Sequence, residues 1–223
     1  MKSGTVKRGF TLIEIIMTVA IIVILVSMVV GITKRIDDQN KERLCRNELA
    51  LLDNALEQFR DFGFDYKGSY SGLGLTFPLD FSGFIAMDIQ SRLSPAFGFT
   101  TIAISPIGDP PHDPCYSGSE VLYFCLNQIP DCRTTLDKID KSLVTNDINS
   151  VSLNIIINPG ASQQTLPFKR FIDPWKTTLR YDYYDESSFP PDPATKKTFP
   201  VLTSAGADRI FGTNDDIVNR QGK

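Results

Sequence analysis

An apolar stretch near the N-terminus constrains this chain more than any other feature. The 23 residues from 10 to 32 carry a single charge, that of Glu14. As an α-helix the stretch would be roughly 35 Å long, which is enough to cross a bilayer. We therefore predict a membrane-spanning helix over residues 10–33, preceded by a basic leader over residues 1–9.

Glu14 is an unusual residue in such a helix. A carboxylate in hydrocarbon costs about 3 kcal/mol or more, so an acid is normally kept there only where it meets a partner. No Lys, Arg or His occurs between residues 10 and 31, so the partner has to be a chain end or another molecule. If the chain were cut after Gly9, the new amine of Phe10 would lie near the same end of the helix and could pair with Glu14 of a neighbouring copy.

The residues around this junction resemble the N-terminal processing signature of the type IV pilin and type II secretion pseudopilin family. A leader with three basic residues is followed by Gly-Phe-Thr-Leu-Ile-Glu and then by the apolar helix. The resemblance implies cleavage after Gly9 by a prepilin peptidase, methylation of the new N-terminal Phe10, and a role for Glu14 in filament assembly. It also implies partners, namely copies of this chain, other pilin-like subunits and an inner-membrane assembly platform.

Two other N-terminal signals are alternatives to this interpretation. An ordinary signal anchor with a chance glutamate would also lie in a membrane. A cleaved secretory signal fits less well, because its apolar region would be about 7–15 residues and would end in a small-residue site. The positive leader places the N-terminus in the cytoplasm, although Lys34 and Arg35 follow the span. We expect a single-pass inner-membrane protein with a periplasmic C-terminal domain, assembled into a periplasmic or extracellular filament.

The helix is predicted to continue as an amphipathic segment over residues 34–62. No proline precedes Pro78, and Gly31 is the only glycine between residues 10 and 62, so nothing interrupts a helix there. Gly63 suits a C-cap. A coiled coil is the alternative, although the pattern covers few heptads. Apolar side chains recur at three- and four-residue steps and should pack on a globular domain. They are Leu44, Leu51, Leu52, Ala55, Leu56, Phe59 and Phe62.

Residues 63–223 are predicted to form one globular domain. Residues 121–126 suit either a strand or a short buried helix, and a helical turn is expected within residues 131–147. The fold class is therefore α+β, with the long helix packed on a small antiparallel sheet, as in pilins. The remaining predicted elements are a helix over 79–93 and strands over 97–104, 151–157, 177–184 and 199–203.

Composition and motifs restrict the classes of function that we expect for this chain. The net charge is −3, and removal of the basic leader makes the rest more acidic, which argues against nucleic acid as a partner. The single histidine, His112, lies in a proline-rich loop, and the chain has no G-x-S-x-G, H-E-x-x-H or phosphate-loop motif, so we do not expect an enzyme. The cysteine spacing does not match a zinc site, and disulfides are predicted in an oxidising compartment, with their pairing open. The four cysteines are Cys45, which could stay unpaired, and Cys115, Cys125 and Cys132.

An acidic loop near the C-terminus carries the best candidate metal ligands. Asp208, Asp215 and Asp216 lie in a short segment with two glycines, and oxygen ligands of this kind suit calcium. The loop is not an EF-hand, because Asn219 stands where the twelfth-position glutamate would be needed. It resembles the calcium loop of the major type II secretion pseudopilin, which implies calcium as a cofactor. The alternative is a solvated acidic turn without a metal.

The expected function is a structural subunit of a type II secretion pseudopilus or a type IV pilus-like filament. The resemblance to the major pseudopilin covers residues 1–62 and 173–217, where Asp173-Pro174-Trp175 is similar to a strand-entry motif of that family. A minor subunit therefore stays open. The alternative function is a membrane-anchored, calcium-dependent binding or adhesive minor pilin, whose central insert over residues 63–171 would present an exposed apolar or aromatic groove.

Overall fold

The computed structural model describes residues 12–62, 77, 102–105, 116–148, 150–158, 163–183 and 197–220. The chain divides into two compact units, Met1–Lys41 and Glu42–Lys223. Several predictions lie outside the described residues. They concern the leader over residues 1–9, the Gly9–Phe10 junction, the Gly63 cap, the helix at 79–93, the His112 loop and Cys115.

A single helix, α1, occupies Leu12–Asp61 and contributes to both units. It confirms the prediction of one long uninterrupted helix. Glu14 lies in its first turn and Arg60 in its last, so each charge has the sign that the helix dipole favours. Among the described residues, no helix is both long enough and apolar enough to cross a membrane.

The C-terminal unit adds short helices and short strands to α1. The helices are α2 (Ser117–Gln128), α3 (Pro130–Leu136) and a 3-10 turn at Lys141–Leu143. The strands are β1 (Ile102–Ser105), β2 (Val144–Thr145), β3 (Asp147–Ile148), β4 (Val151–Ser152), β5 (Asn154–Ile157), β6 (Gln164–Pro167), β7 (Arg170–Phe171), β8 (Arg180–Asp182), β9 (Val201–Ser204) and β10 (Ile217–Val218).

The described strands pair antiparallel in several small sheets instead of the one sheet that we predicted. Two of these sheets have three strands, in the orders β1-β5-β6 and β10-β9-β8. Strand β2 pairs with β7, and β3 pairs with β4. In register, Ile104 faces Ile155 and Tyr181 faces Leu202. A long helix with small antiparallel sheets confirms the α+β class and is consistent with a pilin-like fold.

One hydrophobic core joins α1 to these helices and strands. From the predicted stripe, Leu52, Ala55, Leu56 and Phe59 are completely buried, whereas Phe62 is 59% exposed. The prediction is wrong for Phe62 because this residue follows the last helical residue, Asp61, and points away from the core. Leu44 and Leu51 are partly buried against the core, as an edge of the stripe would be.

Aromatic rings fill the part of the core at the C-terminal end of α1. The ring of Phe59 stacks on that of Phe77, with centroids 6.0 Å apart. Phe77 also meets Tyr183 and Phe199 edge to face, at 5.2 and 5.1 Å. Such pairs add roughly 1 kcal/mol each to the free energy gained by burial. Phe77 therefore links α1 to the segments around β8 and β9.

The structure decides one prediction that was left open and corrects another. Residues 121–126, left open between strand and helix, belong to α2. The strand predicted at 151–157 is two strands in different sheets, since β4 pairs with β3 whereas β5 pairs with β1 and β6. Between them, the Leu153 N–H donates to the Asn146 carbonyl and the Leu153 carbonyl accepts from the Phe168 N–H. Leu153 is thereby buried in the core.

The cysteines do not form the disulfides that we predicted among the described residues. Cys45, Cys125 and Cys132 are all free and completely buried. Cys132 donates a hydrogen bond from its thiol to the Ala55 carbonyl, 3.3 Å away, and so holds α3 against α1. Burial raises the pKa of the Cys132 thiol to about 11, so it remains protonated at neutral pH. These side chains serve as small core residues.

We expect Phe59→Ala to lower the free energy of unfolding by about 3–5 kcal/mol, because it leaves a cavity in the aromatic core. Phe62→Ala is the matched control, since Phe62 lies three residues away and is exposed. It should change the free energy by no more than about 0.5 kcal/mol. Urea unfolding of the full chain in detergent measures both. Equal losses in the two variants would contradict the observed end of the stripe.

Candidate functional site

The N-terminal part of α1 is the first candidate site. Every residue from 12 to 28 is exposed, including Leu12 at 79% and Met28 at 62%. Apolar side chains cover all sides of this part of the helix, which is typical of a helix with apolar surroundings. Both hydroxyl side chains in this stretch are satisfied by the helix itself, since Thr18 donates to the Ile15 carbonyl and Ser27 to the Ile24 carbonyl.

Glu14 lies on this apolar surface, with its side chain exposed. Its position in the first turn places the carboxylate at the positive end of the helix dipole. The other two residues of the predicted processing site, Gly9 and Phe10, lie outside the described residues. The structure therefore describes the acid of that site but not the cleavage junction.

The acidic loop between β9 and β10 is the second candidate site. Its carboxylates accept hydrogen bonds from the loop's own backbone. Asp208 Oδ1 accepts from the Ile210 N–H at 2.8 Å, and Asp216 Oδ2 accepts from the Gly212 N–H at 2.7 Å. In addition, Asp215 Oδ2 accepts from the Asp208 N–H at 3.0 Å. Loop backbone donors thus hold all three predicted ligands.

Asp215 is the centre of this loop. Its Oδ1 accepts a hydrogen bond from the Thr213 hydroxyl at 2.6 Å. That bond, followed by the one from the Asp208 N–H, lowers the pKa of the Asp215 carboxyl. Asp215 is therefore a carboxylate at neutral pH and below. It also lies directly beside Gly206, where a Cβ would come 2.6 Å from Asp215 Oδ2.

One atom of this loop supports the binding of calcium. The buried Oδ1 of Asp216 has no hydrogen-bond partner, and a buried carboxylate oxygen normally has one. Hard oxygen donors are what calcium prefers. However, the described part of the chain contains no cluster of three or more His, Cys, Asp or Glu side chains that could hold a metal ion. The loop offers suitable donors, and they are not gathered around one point.

Both ends of the loop are tied to the core. At its start, the Ser204 hydroxyl donates to Asp173 Oδ2 at 2.7 Å. At its end, Arg220 forms two hydrogen bonds with the Asp53 carboxylate, at 2.7 and 2.8 Å, and one with Glu57 at 2.7 Å. Asp53 and Glu57 belong to α1. The loop is therefore attached to α1 just after β10.

Asp173 organises the turn that the sequence identified as Asp-Pro-Trp. Its Oδ1 accepts from the backbone N–H groups of Trp175 and Thr177, at 3.0 and 2.8 Å. The residue is completely buried, and burial raises the pKa of its carboxyl despite the hydrogen bond from Ser204. The motif therefore positions the turn and connects it to the end of β9.

Sequence reasoning missed Glu48, a buried acid beside Asp173. Glu48 is 1% exposed, and neither of its carboxyl oxygens has a hydrogen-bond partner. Burial, reinforced by the charge of Asp173, raises the pKa of Glu48 to about 9. A signal for this was available, because Glu48 lies four residues from both Leu44 and Leu52 and so belongs to the apolar stripe.

Gly206 and Gly212 both have a positive φ, +66° and +89°, so an alanine at either position is strained by roughly 1 kcal/mol. Only at Gly206 would the added Cβ also meet Asp215. We expect Gly206→Ala to lower the free energy of unfolding by about 2 kcal/mol or more, and Gly212→Ala by about half as much or less. Urea unfolding of the two variants tests this; a larger loss at Gly212 would contradict the loop geometry.

Comparison with known proteins finds a match to a known motif near the N-terminus. Residues 5–30 match the family model of the prokaryotic N-terminal methylation motif. No curated protein and no solved structure matches the chain. The motif implies processing by a prepilin peptidase and assembly with other pilin-like subunits. The chain therefore carries, at the residues that contain Gly9, Phe10 and Glu14, the hallmark of the type IV pilin and pseudopilin family.

Proposed function

We propose that this chain is a structural subunit of a type II secretion pseudopilus or a type IV pilus-like filament. The observation that carries the proposal is the apolar surface that α1 exposes on all sides between residues 12 and 28. Burial of that surface provides a large favourable free energy. A bilayer would cover it before assembly, and the helices of neighbouring subunits would cover it afterwards.

Glu14 would determine how neighbouring subunits are aligned in this assembly. A carboxylate among apolar helices is costly unless it is paired. Cleavage after Gly9 creates an amine on Phe10, which is positively charged and lies at the same end of the helix. Pairing of that amine with Glu14 of the adjacent subunit would neutralise both groups and define the stagger between subunits.

The topology follows from the same residues. The leader is basic and would stay in the cytoplasm, with residues 10–33 in the inner membrane and the globular domain in the periplasm. Extraction from the bilayer by an inner-membrane assembly platform would then place the domain on the surface of a periplasmic or extracellular filament. The alternative, a calcium-dependent binding or adhesive minor pilin, shares these features. Residues 63–76 and 78–101, part of the insert where its groove is expected, lie outside the described residues.

We also propose that the loop binds one calcium ion through Asp208, Asp215 and Asp216, which binding would have to bring closer together, since the loop does not gather them around one point. The support is the unpartnered, buried Oδ1 of Asp216 and the contact between Asp208 and Asp215 through a backbone hydrogen bond. An ion bound to the folded loop alone would stabilise the domain. It would also rigidify the segment between Ser204 and Arg220, which are both held by the core.

We expect the mature protein from cells with a prepilin peptidase to begin with N-methylated Phe10, as mass spectrometry would show. Glu14→Ala should keep this processing and membrane insertion but lose most filament assembly, measured by electron microscopy and by the sheared fraction. The reason is that the amine of Phe10 then has no acidic partner.

The control for this experiment is Glu42→Gln, an exposed acid further along α1. This variant should assemble as the wild type does. An intact leader in the filament, or normal filaments from Glu14→Ala, would contradict the proposed assembly.

We expect calcium at about 100 times its Kd to add about 2.7 kcal/mol to the free energy of unfolding, which is a rise in Tm of roughly 5–10 °C for a domain of this size. The double variant Asp215→Ala, Asp216→Ala should lose the calcium-dependent rise. Differential scanning calorimetry measures both.

Two controls separate ion binding from general loop damage. Magnesium should give little rise, since it demands a stricter geometry, and Asn214→Ala at an exposed loop position should keep the calcium effect. A wild-type Tm that does not respond to calcium would overturn the proposed ion site.

A further inference from the structure

A buried polar cluster lies where α1 meets the C-terminal part of the core. Glu48 and Cys45 of α1 are at most 1% exposed, as are Asp173 of the turn after β7 and Ser204 at the end of β9. The Ser204 hydroxyl donates a hydrogen bond to Asp173 and also lies beside the thiol of Cys45. Glu48 is the member of this cluster whose polar oxygens have no hydrogen-bond partner.

The geometry leaves Glu48 only one stable charge state in the folded domain. An ionised carboxylate that is buried without donors is strongly unfavourable, whereas a neutral carboxylic acid is tolerated at a smaller cost. The groups around it make ionisation worse. Asp173 faces Glu48 from the turn, and its charge opposes a second negative charge. The thiol of Cys45, on the same helix, is neutral because burial raises its pKa to about 12.

Cations are present nearby, but they act on other members of the cluster. Burial raises the pKa of Asp173 and that of Cys45, and the charges of Arg209 of the loop and Arg46 of α1 offset a part of these two rises, respectively. Neither contributes to the pKa of Glu48, for which burial and Asp173 are the causes. No cation in the described part of the chain is hydrogen-bonded to the carboxyl oxygens of Glu48, so an ionised Glu48 would lack a direct partner there.

We propose that Glu48 makes the packing of α1 on the C-terminal core dependent on pH. Its carboxyl group is neutral while α1 is packed on the core, and its ionisation in alkaline medium loosens that packing. The effect is specific to this contact, because Glu48 belongs to the buried stripe of α1 and faces the residues that hold the turn and β9. The proposal concerns the globular domain and does not depend on filament assembly or on calcium.

The sign of the pH dependence follows from linkage. The pKa of Glu48 rises from an ordinary 4.5 to about 9 on folding, so the folded state binds the extra proton between these values. Stability due to this group is fully present below about pH 4.5 and is lost as the pH rises towards 9. Between those limits the unfolding equilibrium constant increases about tenfold for each pH unit.

The test is urea unfolding of the full chain in detergent between pH 5 and pH 9. The chain has a single tryptophan, Trp175, whose backbone N–H donates to Asp173, so its fluorescence reports on this cluster. We expect Glu48→Gln to remove the pH dependence that this group causes. The ratio of the wild-type to the variant unfolding constant should then grow several-hundred-fold between about pH 5 and pH 8.

Comparison with the variant is needed because other groups titrate in the same range. Glu42→Gln, at an exposed position of the same helix, should follow the wild-type profile. Parallel profiles of the wild type and Glu48→Gln would overturn the proposal, and so would an equal effect of Glu42→Gln.

A second measurement covers the case in which Glu48→Gln does not fold. Infrared spectroscopy of the wild type at pH 7 should show the carbonyl band of a protonated carboxylic acid, which should weaken above about pH 9. Glu48→Leu, with an apolar side chain of similar size, should lack that band and unfold at higher urea than the wild type at pH 8. A band unchanged by Glu48→Leu, or no band in the wild type, would overturn the assignment.

Discussion

The burial of one face of α1 between Cys45 and Phe59 is the contact on which the C-terminal unit depends. Its described strands are two to four residues long, and sheets that small are not stable by themselves. A helix of 50 residues offers a continuous apolar face on which such sheets can pack. Phe77 illustrates this, because its ring contacts Phe59 of α1 and also Tyr183 and Phe199 near β8 and β9.

Polar contacts then decide how the C-terminal loop is presented. Asp173 holds the start of the loop through Ser204, and Asp53 of α1 holds its end through Arg220. The Arg220 guanidinium also lies 3.7 Å from the centre of the Phe199 ring, so it joins the ion pair to the aromatic core. Glu48 has no such compensation. The same region therefore contains well-satisfied charges and one acid that must remain neutral.

The apolar side chains of the two parts of α1 have different surroundings, although both parts belong to one helix. Between residues 45 and 59 most of the apolar side chains are covered by the chain's own core. Between residues 12 and 28 they are exposed, and other molecules have to cover them. The methylation motif at residues 5–30 includes the second part, which is why a role in assembly suits the molecule.

Sequence alone determined the features that depend on residues close to one another along the chain. The long helix, the acid in its first turn and most of its buried stripe follow from spacing along the chain, because a helix repeats every few residues. The tertiary structure decided what depends on distant partners. Strands β4 and β5 take different partners within one predicted strand, Cys132 meets Ala55 and not another cysteine, and Glu48 is buried beside Asp173. These contacts join residues that periodicity cannot relate, since only packing of the complete core brings them together.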